Sequence, residues 1–221
     1  MNPPFPNRTE AGKQLARKLA RYARRPDVLV LALPRGGVPV ASEVARALEA
    51  PLDVFVVRKL GVPGHEELAM GAIASGGVRV LNESVVTQLG ITEEVIEAAA
   101  RREERELVRR ERAYRNHRPA PVLRGRVVIL VDDGIATGST MFAAIAALRR
   151  QGARQIVVAT PTVARSTYHE MRKEADDFVA LLMPEEFFGV GQWYEDFSQT
   201  TDEEVRALLA QAAPPPQATS T

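Results

Sequence analysis

Five consecutive apolar residues, Val127 to Val131, run straight into two aspartates and a short loop rich in glycine and hydroxyl groups. That junction constrains the fold more than any other stretch of the chain. A run apolar at every position suits a strand buried on both faces, as in a parallel sheet flanked by helices. Asp132 and Asp133 stand at its carboxyl end, and Gly134, Thr137, Gly138, Ser139 and Thr140 belong to the loop. Met141 to Leu148 then reads as a helix. Parallel α/β sheets bind ligands at such strand-to-helix handovers. The loop offers successive backbone N–H groups and a helix N-terminus to a phosphate. The carboxylates would repel that phosphate, so they suit sugar hydroxyls or a bound metal. The ligand implied is a phosphorylated sugar.

Further strands are expected at Val28–Leu33, Leu52–Val57, Ile156–Ala159 and Phe178–Leu182, with helices at 38–49 and 141–151 between several of them. A first helix is expected after Asn7, with Glu10 completing a capping box and Leu15, Leu19 and Tyr22 on one face. The alternation predicts an α/β fold with a doubly wound, mostly parallel sheet flanked by helices. Residues 72–81 read instead as a hairpin turning at Gly76-Gly77. The chain divides into a core over 8–182, a C-terminal element over 183–209 and a disordered tail over 210–221. The core includes a charged helical insertion at about 90–118. Within it, Thr92 can cap a helix reaching about Arg115, in which seven glutamates interleave with arginines. Such mixed charge marks a solvated, ion-paired face, with a role in oligomerisation as the alternative, and it does not suit nucleic acid.

Length and composition narrow the rest. The 221 residues suit one α/β domain with small additions, and a net charge of +1 gives no general pull toward nucleic acid. Without cysteine there is no disulfide or thiolate chemistry, which points to a cytoplasmic location. No apolar stretch approaches the roughly 18 residues of a membrane span, and the N-terminus does not resemble a signal peptide.

Three more loops point at the same ligand. The first strand ends in L-P-R-G-G, placing Arg35, Gly36 and Gly37 at another strand-to-helix junction. Adjacent glycines let backbone N–H groups approach an anion; the plainer alternative is a tight turn with an exposed arginine. After the second strand come Arg58 and Lys59, then Gly61 to Gly64 and His65, Glu66 and Glu67, a polar segment suited to a mobile cover. Cations there could neutralise a leaving pyrophosphate, with His65 either acting directly or decorating the surface. Near the C-terminus Phe187, Phe188, Trp193, Tyr194 and Phe197 cluster. They form either a packed element or an aromatic wall for a planar ring.

The segment V-V-I-L-V-D-D-G-I-A-T-G-S-T resembles the signature by which type I phosphoribosyltransferases bind 5-phosphoribosyl 1-diphosphate (PRPP). The resemblance extends over about residues 8–200, with P-R-G-G as the pyrophosphate loop, R-K-L-G-V-P-G-H-E-E as the flexible loop and F-F-G-V-G-Q-W-Y-E-D-F as the hood over the base. It implies that Ala136, Thr137, Gly138, Ser139 and Thr140 form the 5-phosphate loop, while Asp132 and Asp133 address the ribose hydroxyls directly or through Mg²⁺. It implies that Arg35, Gly36 and Gly37 face the pyrophosphate and that Arg58, Lys59 and His65 are catalytic residues of the cover. Phe188 and Trp193 would contact the base, and Asp196 would either join Asp132 and Asp133 at the metal or meet a polar ring edge. The expected activity is Mg²⁺-dependent transfer from PRPP to a nitrogen of a nucleobase or related heterocycle; the alternative is an inactive PRPP-sensing regulator. Partners are then small molecules, with neither nucleic acid nor membrane, and a homodimer is possible. The 6-oxopurine salvage branch carries an acidic residue where this chain has Ala136, and its base-reading lysine has no counterpart beyond the candidate Arg165. Those departures and the 90–118 insertion argue against hypoxanthine and guanine.

Overall fold

A computed structural model describes residues 4–116 and 118–212. Five parallel strands, β1 (Val28–Ala32), β2 (Leu52–Val54), β6 (Val127–Val131), β7 (Gln155–Thr162) and β8 (Asp177–Leu182), form the main sheet in the order β2-β1-β6-β7-β8. Both faces are covered, so alternate residues of one strand enter opposite cores. Val28, Val30 and Ala32 of β1 join Val38, Val40 and Val44 of α2 (Gly37–Leu48) and Leu15 of α1 (Arg8–Lys18). Leu29 and Leu31 join Met141, Ala144, Ile145 and Leu148 of α5 (Ser139–Arg150). This two-faced burial is why the strands read as unbroken apolar runs. The doubly wound, mostly parallel fold expected from the sequence is the one observed.

Asn7 caps α1 by accepting from the Glu10 N–H at 2.9 Å, and Leu15, Leu19 and Tyr22 are all buried. A second sheet, antiparallel, is built from β3 (Val57–Val62), β4 (His65–Ala74) and β5 (Val78–Leu81). The β4–β5 turn at Gly76-Gly77 is as expected, both glycines having positive φ. The expected strand Leu52–Val57 divides in two. Phe55 donates to Ala32 O at 2.9 Å, whereas Val56 exchanges hydrogen bonds with Ser75 at 2.8 Å, and the chain passes from one sheet to the other there. The expected mobile cover is therefore a β-hairpin, β3–β4, turning at Pro63-Gly64.

The charged segment forms α4 (Glu93–Arg115) after a short α3 (Glu83–Gln88). It is not a wholly solvated helix. Ile96, Ala99, Ala100, Leu107 and Tyr114 bury one face in the same core as Leu60, Met70 and Ile73 of the antiparallel sheet. The opposite face carries the expected ion pairs, among them Glu106 with Arg109 at 2.7 Å and Arg110 at 2.8 Å. After α6 (Arg165–Met171) and β8, a 3-10 turn (Val190–Trp193) leads to α7 (Asp202–Gln211). Helix α7 thus continues past residue 210, where the tail was expected to start; residues 213–221 of that tail lie outside the described residues. Among the described residues no helix is long and apolar enough to cross a membrane.

Candidate active site

Strands β1 and β6 are neighbours, and β2 lies beyond β1 while β7 lies beyond β6. The loops leaving their carboxyl ends therefore meet where the winding direction reverses, the usual position for a ligand crevice. Leu33 N–H donates to Val131 O at 2.9 Å, which fixes the two loops side by side. The Pro34–Arg35 peptide is cis. A Cβ on Gly36 would lie 2.1 Å from Asp133 Oδ2, and one on Gly37 would lie 2.8 Å from Val131 O. Glycine is thus required here for the approach of a carboxylate and a backbone. The loops expected to hold pyrophosphate and ribose are in contact.

The 134–140 loop is held from below. Ile135 donates to Thr162 O at 2.9 Å, and Thr167 Oγ1 of α6 donates to Ala136 O at 2.5 Å. Gly138 adopts φ +75 against Met171 and Thr167, so a side chain there would be both strained and crowded. Thr137, Ser139 and Thr140 remain exposed or nearly so along the turn, with Thr137 Oγ1 3.3 Å from Ser139 Oγ. Among the described residues no side chain caps α5, so its first N–H groups and three hydroxyls face outward together. Such an arrangement suits a phosphate.

The carboxylates differ in partners. Asp132 Oδ1 accepts from the Asp133 N–H at 2.9 Å. Burial, and then the Asp133 charge, raise its carboxyl well above the ordinary range. Asp133 Oδ2 accepts from Arg8 Nε at 2.7 Å, and its carbonyl accepts from the Tyr194 hydroxyl at 2.5 Å. Burial and Asp133 push that tyrosine upward. Arg35 lies 3.8 Å from Asp202 at the start of α7. The Tyr114 hydroxyl also donates to Asp202, at 2.9 Å, and is pushed up to about 12 by burial and that carboxylate.

The remaining expected site residues are held by other elements. Arg58 is inside β3, not in a loop, and its guanidinium holds Glu103 of α4 at 2.7 and 3.0 Å. Lys59, also in β3, donates to Glu67 O at 3.2 Å, and His65 is exposed at the hairpin tip. Both cations thus sit on a strand, and Arg58 finds its partner on an element distant in sequence. Phe188 is 87% exposed. Trp193 is instead half-buried against Phe5 and Tyr194, with its indole N–H buried and, among the described residues, unpartnered. Its packing is that of a structural element, not a free platform. Asp196 is exposed and accepts from the Ser198 N–H, which lowers its carboxyl. It does not join Asp132 and Asp133: among the described residues no three His, Asp or Glu side chains come together as metal ligands. Arg165 pairs with Glu185 at 3.1 Å.

Sequence reasoning missed Arg8, Tyr194, Asp202 and Thr167 as partners of the site. One signal for Arg8 existed. An arginine in the first turn of a helix opposes the helix dipole, so it needs a nearby anion.

A family profile described as the phosphoribosyl transferase domain matches residues 5–195. The chain belongs to that family. The Mycobacterium tuberculosis protein Rv0571c, which bears the phosphoribosyl transferase name, is 48% identical over 208 residues, 94% of this chain and 47% of that protein. This phosphoribosyl transferase-family chain thus spans about half the length of the curated relatives it matches. The crystal structure of TT1426 from Thermus thermophilus is similar with TM-score 0.84 and 41% identity, over 96% of this chain and 100% of that one. At 10% identity and TM-score 0.50, AQ2163 from Aquifex aeolicus shares the fold, over 93% of this chain and 86% of its own.

Proposed function

We propose that this chain transfers the 5-phosphoribosyl group of PRPP to a nitrogen of a nucleobase or related heterocycle, with release of pyrophosphate. The observation that carries the reading is the outward-facing Thr137–Thr140 turn beside Asp132 and Asp133, with the Arg35–Gly37 loop packed on the same carboxylate. The turn and the N-terminus of α5 would bind the 5-phosphate. Asp132 and Asp133 would accept from the ribose hydroxyls and so fix the orientation of C1. Arg35 with the Gly36 and Gly37 backbone would bind the pyrophosphate. Phe188, exposed and aromatic, is available to a planar acceptor.

The donor set also fits Mg²⁺. Two adjacent carboxylates repel each other, and Arg8 pairs directly with Asp133 alone, so a further cation beside the two would be stabilising. When bound, Mg²⁺ would make pyrophosphate a better leaving group. The absence of an acidic side chain at Ala136 supports an acceptor other than a 6-oxopurine. A cytoplasmic location and a homodimer belong to the same proposal, to be tested by cell fractionation and sedimentation.

A second reading has its own observation. The cover cations Arg58 and Lys59 are engaged by Glu103 and Glu67, which suits a PRPP-sensing regulator that retains the pocket without the chemistry. Pyrophosphate release from Mg²⁺·PRPP across a panel of heterocycles, with Asp133→Ala as control, separates the two. Acceptor-dependent release that disappears in the control supports the enzyme. PRPP binding without release for any acceptor supports the regulator.

A further inference from the structure

The N-terminal segment and the aromatic C-terminal segment form one unit clasping Asp133. Phe5 N–H donates to Trp193 O at 3.2 Å, Glu195 N–H to Phe5 O at 2.9 Å, and Asp196 N–H to Pro6 O at 2.9 Å. That pairing delivers Arg8 to the site. Its Nε donates to Asp133 Oδ2 and its Nη1 to Ser198 O, each at 2.7 Å. The guanidinium also lies 4.0 Å from the centre of the Phe197 ring. Phe197 stacks on Tyr194 at 5.2 Å, and the Tyr194 hydroxyl returns to Asp133 O. Val190 completes the contact: a Cβ on Gly134 would lie 2.3 Å from its Cγ1. The carbonyl and following glycine of the proposed ribose residue thus touch the segment expected to cover the acceptor directly, and its carboxylate reaches that segment through Arg8.

We propose that Arg8 is a positioning residue that couples occupancy of the sugar-phosphate crevice to the aromatic segment 190–197. This rests on the reading of the crevice as a PRPP site. A ribose hydroxyl donating to Asp133 competes for the carboxylate that Arg8 holds. Any displacement of the guanidinium is passed to Phe197 and Ser198, because a planar group that stacks and donates from two nitrogens cannot shift one contact alone. A lysine keeps the charge without the fork or the stacking. The coupling therefore depends on arginine, whereas neutralisation of Asp133 depends only on a cation.

Trp193 is the single tryptophan of the chain and lies within this segment, so its fluorescence reports on it directly. The experiment titrates Mg²⁺·PRPP into wild type, Arg8→Lys, Arg8→Ala and Phe197→Leu, following heat of binding and Trp193 emission in parallel. Wild type is expected to bind with a saturable change in emission. Arg8→Lys and Phe197→Leu should bind within about threefold of wild type yet lose most of the emission change at saturation. Arg8→Ala should lose that change and bind about tenfold more weakly, because the Asp133 charge is then left without a cation beside an anionic ligand. A strut without coupling would lower thermal stability and leave the saturating emission change intact, and that result in Arg8→Lys or Phe197→Leu overturns the proposal. Wild-type binding without any Trp193 response overturns the coupling alone. No heat of binding in wild type overturns the PRPP reading, and the coupling with it.

Discussion

Two buried carboxylates, Asp53 and Asp133, are each paired with an arginine far away in sequence, and the pairs differ in what surrounds them. Arg115 donates to Asp53 at 2.9 Å and to Val54 O at 3.1 Å, and lies 2.9 Å from Glu111. The Val54 N–H donates to the same carboxylate at 2.6 Å. That pair ties α4 to the edge strand β2, and its groups are enclosed by protein. Burial raises the Asp53 carboxyl even against the Arg115 charge. Arg8 and Asp133 are joined at 2.7 Å, but there the carboxylate adjoins Asp132, the Gly36 backbone and an exposed hydroxyl turn. The comparison teaches that a buried ion pair is structural or functional according to what else its carboxylate can reach. Enclosure makes a strut; an open neighbour makes a site.

The comparison breaks most readily at Arg115. Arg115→Met should cost about 3–5 kcal/mol in urea unfolding at neutral pH, because it strands a buried carboxylate. PRPP affinity of the folded fraction should be unchanged. Without Arg115 the Asp53 carboxyl is raised further above its unfolded value. A group raised in this way stabilises the fold at low pH and loses that stabilisation as pH rises, so the penalty should shrink on acidification. A loss below about 1 kcal/mol would remove the pair's role as a strut.

Asp133→Ala should invert the pattern. Transfer is expected to fall roughly a hundredfold, about 2.7 kcal/mol in the barrier, with a smaller unfolding penalty than Arg115→Met. Normal turnover would sink the sugar-binding assignment. Gly36→Ala sharpens the comparison, since Gly36 has right-handed helical angles (φ −59, ψ −32) that alanine adopts freely. Its methyl would displace the Asp133 carboxylate and with it the pairing to Arg8, so turnover should fall about tenfold with a smaller loss of stability than Arg115→Met. Equal turnover would separate the glycine loop from the carboxylates. The smallest effect is expected at Glu106, whose exposed pairs with Arg109 and Arg110 hold its carboxyl at about 2. Glu106→Gln should change stability by less than about 0.5 kcal/mol, and only above the range where that carboxyl protonates. A larger change would mean that the exposed face of α4 packs against something.

The β6–α5 junction was legible because one stretch carries the strand, the acids, the turn and the helix, each marked by local periodicity or backbone requirement. The β4–β5 hairpin was legible for the same reason at Gly76-Gly77. The β3–β4 hairpin was not. Arg58, Lys59, His65 and Glu66 look like a solvated loop until Leu60, Met70 and Ile73 are seen packing under α4. The place of Trp193 was not legible, because an aromatic residue packs equally well against ligand or protein, and here it is half-buried against Phe5 and Tyr194.

By itself the sequence determined the parallel sheet, the phosphate-binding turn and the paired acids, since apolar runs, glycines and hydroxyls act through the backbone within a few residues. Only the tertiary structure decided which charges meet. Arg8 reaches Asp133 across 125 positions, Arg58 turns to Glu103 rather than outward, and among the described residues Asp196 forms no three-ligand metal cluster with the other aspartates. A side chain's charge is written in its residue type. Its partner depends on which helices and strands the core brings alongside, and burial then sets what the pairing contributes.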